Sequence, residues 1–563
     1  MRIKKIIIFI LPIILILISW KNVLLNISTH LYSWYDGPFV IYLFQNNMRH
    51  FSSLDFAHLF ETNAMYPFSF SLSFTEHMFF PSLLVWIISF ISNNPIFQFN
   101  VLAILNHLLL YICFFLLAGR FTKNIFIRVL VSFFTAFSPY FFSQIGHLQM
   151  VFFWPFLLSM YYISHPKRRL VHVGLAGLWL GLQFLSAVYL GLMGFGIIAL
   201  YYLLNRPKEP SKIIRETGIF LAAFFLVSLP SIIGYLLMQR MYKPTYEQSQ
   251  YVTYAAHLSD YLFVFFNNSV INISLLRPII GVFNRHVRGE MAGFVGVIPI
   301  VVGCWSLVVS KSMKKNFREN RTLFLWIFLL IVIGIVFSLG PRMNWNGTYL
   351  VTPLPYWFIM KVPVIGVMRA VARWYFLVIF ALSIMLIFGL DTIFGSIKNK
   401  LFKSLFFPLI FILLILEIYP TPVEVSARNW KSSSYIFLQN ACKDKPGAVL
   451  EYPFEYRYKS EDIGKYLSLK TNILLSSTLH NCPTLSGYSA FEPELFKKWQ
   501  TDFDTNGITD SNIKILKENK FVFIKVNLEA LSREERLDKS LYIHTKEIEE
   551  IYRGKESAIY KIK

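Results

Sequence analysis

The residue with the clearest potential for chemistry is Asp36, in the segment Tyr35-Asp36-Gly37-Pro38 just after the first apolar run. An ionised carboxylate only accepts hydrogen bonds, so it could take the proton of a hydroxyl group as a general base. A structural role is open as well, because Asp is a good helix N-cap and Pro fits the first helical turn. The spacing therefore predicts a general base, the start of a helix, or both.

A second polar group follows at Glu76 and His77, in the segment Phe74-Thr75-Glu76-His77. These side chains could contact a substrate or act as a second acid or base. The alternative is that they cap an interfacial helix, since an apolar segment begins at Met78. The sequence leaves both interpretations open.

A third polar position is His147, in the segment Gly146-His147-Leu148-Gln149. It follows Ser138-Pro139, at the outer end of a predicted helical hairpin. A histidine there could bind a phosphate oxygen, or it could be a satisfied polar residue at a membrane interface.

Composition identifies the environment that must position these groups. The chain has 563 residues, of which 55% are hydrophobic and 15% are charged, with a mean hydropathy of +0.50. A soluble domain carries about 25% charged residues, and here the apolar residues form runs of membrane-spanning length. The first run, Ile6–Trp20, has no small-residue cleavage site after it, so we expect an uncleaved first helix. The sequence predicts a polytopic membrane protein.

Eleven apolar runs have the length of spanning helices, and short basic loops orient them with the N-terminus inside. The predicted spans are about 6–22, 98–118, 125–141, 149–164, 170–186, 188–204, 217–237, 292–310, 322–340, 373–394 and 404–420. The segment 78–91 is apolar, but counting it as a span would place the basic loop 120–128 outside. We therefore expect it to be an interfacial helix. The net charge of +22 reflects these inner loops, and no nucleic acid partner is expected.

This orientation defines two domains. Residues 1–424 form an all-α membrane bundle with outer loops at about 23–97, 238–290 and 341–372. After Pro420 and Pro422 the charge content becomes ordinary, and 425–563 is predicted to be a soluble α/β domain on the non-cytoplasmic side. Strands are expected at 447–452 and 521–526, and helices at 492–503 and 511–517.

Two features of the predicted soluble domain could carry more than folding information. Cys442 and Cys482 lie in a compartment where a disulfide could persist, although sequence does not establish their geometry. The segments 450–453 and 480–488 are rich in Pro, Gly and polar residues. Strand ends and turns explain these segments more simply than catalysis, and we expect the domain to recognise an acceptor or partner.

The first third of the chain resembles the GT-C superfamily of membrane glycosyltransferases, and especially its bacterial members. The resemblance rests on the order of Asp36, Tyr66-Pro67, Phe74-Thr75-Glu76-His77, Ser138-Pro139 and His147-Leu148. It implies transfer of a sugar from a polyprenyl-phosphate carrier on the outer face. It also implies that Asp36 is the catalytic base, with Glu76 and His77 lining the same cavity.

The resemblance departs from many relatives at one position, since Gly37 follows Asp36 where they have a second acidic residue. A single carboxylate fits metal-independent members that use lipid monophosphate donors. We therefore expect no cofactor, with a divalent metal left open.

A phosphate leaving group would be stabilised by cations near the outer surface. The candidates are two pairs at the ends of outer loops, Arg285 with Arg288 and Arg369 with Arg373. Headgroup anchoring is the alternative for each pair. Asp260 and Glu290 are weaker candidates for binding the acceptor.

Taken together, these features predict an inverting, metal-independent glycosyltransferase of the bacterial cytoplasmic membrane. Its partners would be membrane lipids, a polyprenyl-phosphate sugar donor and a glycan, lipid or protein acceptor of the envelope. One alternative is a transporter or flippase for a lipid-linked sugar, although few ionisable residues lie in mid-span. The other is a non-catalytic scaffold for envelope assembly, which would tolerate replacement of Asp36.

Overall fold

The computed structural model describes most of the chain. The described residues are 2–563, except residues 34, 245, 262–292, 294, 310–319, 346–347, 352, 363–365, 367, 429 and 455–462. Arg285, Arg288 and Glu290 lie outside the described residues.

Helices dominate the first 418 residues. Their bounds are Arg2–Ser19, Lys21–Leu25, Asp36–Ser53, Phe79–Ser89, Pro95–Ala118, Ile125–Ala136, Pro139–Ser143, Leu148–Val151, Trp154–Ile163, Leu170–Ser186, Val188–Leu204, Pro210–Tyr242, Gln248–Thr253, Val297–Val309, Arg321–Ser338, Tyr356–Ile359, Tyr375–Ser396 and Lys400–Ile418. Short strands Met343–Trp345 and Thr348–Val351 pair with each other in this part of the chain.

Six helical segments among the described residues are long and apolar enough to cross a membrane. They are Pro95–Ala118, Ile125–Ser143, Pro210–Tyr242, Arg321–Ser338, Val371–Ser396 and Lys400–Ile418. Each coincides with a span predicted from the sequence. Shorter apolar helices occur at Ile8–Ser19, Phe79–Ser89, Leu148–Ile163, Leu170–Ser186 and Val188–Leu204. The chain is a membrane protein, and the total of about eleven spans stays a prediction.

The segment expected to be an interfacial helix forms Phe79–Ser89, which has 11 residues. At a rise of about 1.5 Å per residue this helix is about 16 Å long, roughly half the hydrocarbon thickness of a bilayer. Its interfacial position stays a prediction.

The chain divides into two compact units whose segments interleave along the sequence. Unit 1 comprises residues 1–25, 103–229 and 245–424, and unit 2 comprises residues 26–102, 230–244 and 425–563. Unit 2 thus includes most of the first predicted outer loop as well as the C-terminal residues. One boundary between the units, at residue 424, is also where the predicted domains meet.

The C-terminal residues of unit 2 contain a four-stranded mixed sheet. In spatial order its strands are Ala448–Tyr452, Phe521–Asn527, Ser557–Ile562 and Ile548–Arg553. The first pair is parallel and the other two pairs are antiparallel. Helices in this region are Ser433–Asp444, Ile463–His480, Glu494–Asn506, Asp510–Glu518 and Arg533–Leu537, and two-residue strands occur at Ile508–Thr509 and Ile543–His544.

The hydrophobic core of unit 2 joins residues that are far apart in sequence. Met65 and Phe74 from the first predicted outer loop pack in one buried cluster with Leu450, Phe496 and Ile524. In addition, His30–Leu31 pairs with Ser426–Ala427 as two short antiparallel strands. Apolar burial therefore holds the part of the first predicted outer loop around Met65 and Phe74 against the C-terminal sheet and its helices.

Candidate active site

Asp36 is the first residue of the helix Asp36–Ser53, and the residue is only 8% exposed. At the start of this helix the Gly37 backbone N–H donates a hydrogen bond to Ser33 Oγ at 2.9 Å. A negative charge is favourable in the first turn of a helix, where backbone N–H groups are unpaired. A helix thus begins here, although its N-cap is Tyr35 and not Asp36 as the sequence alternative had it, and its first residue is a largely buried carboxylate.

The carboxylate of Asp36 accepts a hydrogen bond from the phenol of Tyr488. The distance between Tyr488 Oη and Asp36 Oδ1 is 2.8 Å, and the Tyr488 ring packs edge-to-face on Phe39 at 5.1 Å between centroids. Tyr488 is 452 residues away in sequence, and the sequence interpretation treated its segment as a turn. No local pattern could have revealed this contact.

The segment 481–490 is bonded to the first predicted outer loop through its backbone. Met65 N–H donates to Ser486 O at 3.1 Å, Tyr66 N–H donates to Thr484 O at 3.0 Å, and Thr484 N–H donates to Asn63 O at 2.6 Å. These bonds fix the position of the segment relative to residues 63–66. The Tyr66-Pro67 motif is therefore part of the framework around Asp36.

Asn63 connects this framework to the helix that carries Asp36. Its Oδ1 accepts a hydrogen bond from the Tyr42 phenol at 2.8 Å, and its Nδ2 donates to Cys482 O at 3.3 Å. Because Tyr42 lies on the same helix as Asp36, the amide of Asn63 couples that helix to the C-terminal segment. Asn63 was not among the residues predicted from the sequence.

His77 lies in unit 2 but has no exposed surface. Its ring stacks on Phe79 at 4.3 Å and its Nε2 is hydrogen-bonded to Ser231 Oγ. Burial lowers the pKa of His77 to about 3, so the ring is neutral at physiological pH. The geometry favours the structural alternative for His77. Glu76 beside it is half-buried.

Arg369 and Arg373 lie in unit 1 among tyrosines. The guanidinium of Arg369 is 5.4 Å from the ring centroid of Tyr254 and 5.9 Å from that of Tyr246, and Arg373 is 5.3 Å from that of Tyr189. Both arginines are half-buried. Aromatic faces attract a guanidinium while leaving its N–H groups able to bind an anion. The two cations and these rings form what we call the Arg–Tyr cluster.

Further hydrogen bonds hold the chain around the Arg–Tyr cluster. The Tyr251 phenol donates to Gly366 O, and the Tyr356 phenol donates to Met368 O at 2.9 Å. Burial raises the pKa of Tyr246 and of Tyr251 to about 12, so both phenols remain protonated donors. The tyrosines around the arginines were not predicted, because their spacing has no local signature.

Two further sequence candidates of unit 1 are Asp260, in the short 3-10 helix Leu258–Tyr261, and His147. Asp260 is buried, and its Oδ2 accepts a hydrogen bond from the His257 backbone N–H at 2.6 Å. His147 is half-buried and precedes the short helix Leu148–Val151. Ser138 caps the helix Pro139–Ser143 by accepting from Phe141 N–H. Substrate binding by Asp260 and His147 stays a prediction.

Cys442 and Cys482 are joined in a disulfide. Together with His480 they form the one cluster of three potential metal ligands within the described part of the chain, with ligand atoms within 4.8 Å of one another. In a disulfide neither sulfur is a thiolate, the form that binds metal. The Cys482 N–H donates to His480 Nδ1 at 3.2 Å, and burial lowers the pKa of His480 to about 3. These residues stabilise the segment that leads to Tyr488.

Comparison with solved structures identifies the class of fold. The chain is similar to arabinofuranosyltransferase AftD from Mycobacteria, with a TM-score of 0.55 and 12% identity over 100% of this chain and 40% of AftD. It is also similar to the oligosaccharyltransferase of Archaeoglobus fulgidus, with a TM-score of 0.50 and 11% identity over 93% of this chain and 68% of that one. These neighbours are GT-C glycosyltransferases, and the chain has their membrane helical fold. It spans about two fifths of the length of AftD.

Comparison with protein families identifies the family itself. Residues 10–419 match the family described as Domain of unknown function (DUF6311), and the chain belongs to this family. A search of curated proteins found no match.

Proposed function

We propose that the chain is an inverting glycosyltransferase that moves a sugar from a polyprenyl-phosphate carrier to an acceptor hydroxyl on the outer face of the membrane. The acceptor would be an envelope glycan, lipid or protein. The enzyme would lie in the bacterial cytoplasmic membrane with its N-terminus inside and residues 425–563 in the periplasm or outside the cell. It would need no metal cofactor.

The environment of Asp36 carries this proposal. The Asp36 carboxylate is largely buried, begins a helix and accepts a hydrogen bond from Tyr488. Burying a carboxylate costs free energy that a surface turn would not require. This carboxylate occurs in a chain with the fold of GT-C glycosyltransferases. A held carboxylate acceptor is the group that a base-assisted transfer to a hydroxyl requires.

In the proposed reaction Asp36 takes the proton of the acceptor hydroxyl. The hydroxyl oxygen forms a bond to the anomeric carbon as the bond from that carbon to the phosphate oxygen breaks. The lipid phosphate leaves with the bonding electron pair, and a single displacement inverts the anomeric configuration. Arg369 and Arg373 are the candidates for stabilising the charge that develops on this phosphate.

The test is to compare envelope glycans, by sugar composition and mass, in cells that lack the protein and in complemented cells. The complementing forms are the wild type, Asp36→Asn and the control Asp55→Asn, all at matched membrane levels. Asp55 is exposed and pairs with His58 in unit 2, so its replacement makes the same chemical change away from the site. We expect one sugar to disappear in the null strain, to return with the wild type and the control, and to stay absent with Asp36→Asn.

Two outcomes would overturn this proposal. Full restoration of the glycan by Asp36→Asn would show that Asp36 is not the base, and a scaffold would then explain the phenotype better. Accumulation of a lipid-linked sugar on the inner leaflet of the null strain would instead favour a flippase.

A further inference from the structure

The segment 481–490 makes several hydrogen bonds to the residues around the candidate site. Besides the backbone bonds to residues 63–66, Ala490 N–H donates to Phe74 O at 3.1 Å and Arg49 Nη2 donates to Asn481 Oδ1 at 2.7 Å. The first partner precedes the Thr75-Glu76-His77 sequence, and the second lies on the helix of Asp36. The segment is thus bonded both to the helix that begins at Asp36 and to the chain just before Thr75-Glu76-His77.

Packing leaves little freedom at Gly487, the residue before Tyr488. A Cβ atom added at Gly487 would lie 2.2 Å from Met65 Cγ, and the Met65 side chain is itself buried in the core of unit 2. The backbone at 487 therefore lies directly on Met65. This close approach and the bonds at residues 484 and 486 determine where the phenol of Tyr488 is placed.

At the end of this segment the Tyr488 phenol donates to Asp36 Oδ1, and its ring is held by Phe39. A hydrogen bond to an ionised carboxylate is stronger than one between neutral groups and has defined geometry. The Tyr488 phenol therefore holds the Oδ1 atom of the carboxylate in a defined direction. A base that is turned away from its substrate hydroxyl loses most of its catalytic effect.

We infer that Tyr488 is a positioning residue for Asp36, so the C-terminal segment 481–490 is part of the catalytic machinery. The inference rests on the proposed function of Asp36. It replaces the sequence interpretation of this segment as a turn, and it gives the C-terminal residues a role in the chemical step.

Purified full-length protein tests the contact and its role separately. The variants are Tyr488→Phe, Asp36→Asn and the double variant, with Tyr242→Phe as control. The control phenol also donates a single hydrogen bond in unit 2, to Ser69 O at 3.0 Å, but it does not contact Asp36. Each substitution to Phe keeps the aromatic ring.

The first measurement is the melting temperature of all four variants. If Tyr488 bonds to Asp36, the losses caused by the two single substitutions will not add in the double variant, because Tyr488→Phe removes the same interaction that Asp36→Asn weakens by removing its charge. Additive losses would overturn the inference, because they would mean that the two side chains do not interact.

The second measurement is kinetic and uses three synthetic donors, the polyprenyl phosphates of arabinofuranose, mannose and glucose, with envelope membranes of the null strain as acceptor. We expect Tyr488→Phe to lower kcat about 10- to 100-fold while KM for the donor changes less than about twofold. Tyr242→Phe should keep both values. A wild-type kcat for Tyr488→Phe, or a change in KM alone, would overturn the inference. Activity of Asp36→Asn would instead contradict the proposed function.

Discussion

Lys525 and Glu451 are two oppositely charged residues buried together inside unit 2. Lys525 Nζ lies 3.0 Å from Glu451 Oε2, and the side chains are 3% and 2% exposed. The ammonium also lies 4.2 Å from the ring centroid of Tyr435. Burial alone would lower the pKa of Lys525, but Glu451 and Tyr435 raise it above its ordinary value. The lysine is therefore charged in the folded protein and depends on its partner.

This dependence predicts a large effect of Glu451→Gln on stability. Glutamine keeps the shape but leaves the Lys525 charge buried without a counter-charge, so we expect a loss of about 3–5 kcal/mol. The matched control is Glu547→Gln, which breaks the pair with Lys517 at 2.8 Å. That pair is 41% and 52% exposed, and its loss should cost less than about 1 kcal/mol. Thermal unfolding in detergent measures both, and equal effects would contradict the prediction.

His77 shows where inference from single residues ends. The sequence left two roles open for it, substrate contact and a structural position before an interfacial helix. Its hydrogen bond to Ser231 joins residues 154 positions apart in the sequence, so only the tertiary structure could distinguish the roles. Asp36 differs because its position after the first helix is a local property.

At the scale of elements, two apolar helices pack through glycine. An added Cβ at Gly177 in the helix Leu170–Ser186 would lie 2.3 Å from Phe220 O in the helix Pro210–Tyr242. One turn further, a Cβ at Gly181 would lie 3.0 Å from Phe224 O. Small residues let membrane helices approach until their backbones touch, which is a main source of association where water does not drive it.

We therefore expect Gly177→Ala to destabilise the protein. The nearest atom is a backbone carbonyl oxygen, which cannot move without shifting the helix, and overpacking of this kind costs about 1–3 kcal/mol. Gly196→Ala is the control, because the space around Gly196 is open on the helix Val188–Leu204. Melting temperatures in detergent should fall for the first variant only. A stable Gly177→Ala protein would show that these helices are not packed as described.

The helices themselves were largely predictable from local composition. The six long apolar helices overlap the predicted spans in sequence. An apolar run of about 20 residues has the length and composition that a bilayer requires of a spanning helix. Three-dimensional contacts determine their packing, and glycine spacing such as 174, 177 and 181 became informative only when the facing helix was known.

At the scale of the whole molecule, unit 2 unites residues 26–102, 230–244 and 425–563. The disulfide between Cys442 and Cys482 closes a loop with a sequence separation of 40 within this unit. In the chain-entropy description a loop of this length contributes about 4 kcal/mol by restricting the unfolded chain. One of the two disulfide residues, Cys482, also accepts a hydrogen bond from Asn63 through its backbone carbonyl oxygen.

We expect reduction of wild-type protein to lower its melting temperature, and the double variant Cys442→Ala, Cys482→Ala to show the lowered value with or without reductant. The control is Cys113→Ala, since Cys113 is buried and has no disulfide partner. Its response to reductant should match that of the wild type. If Cys442 and Cys482 react with a thiol reagent in protein purified without reductant, the disulfide does not form in cells, and this prediction is wrong.

The sequence alone determined the properties that depend on runs of neighbouring residues. These are the membrane character, the approximate bounds of the long helices and the position of Asp36 at a helix start. The tertiary structure decided which distant residues meet: Tyr488 on Asp36, Asn63 between Tyr42 and Cys482, and tyrosines around Arg369 and Arg373. The physical reason is that apolar length and charge bias act locally, whereas a hydrogen bond across 452 residues of chain exists only after packing has brought its two ends together.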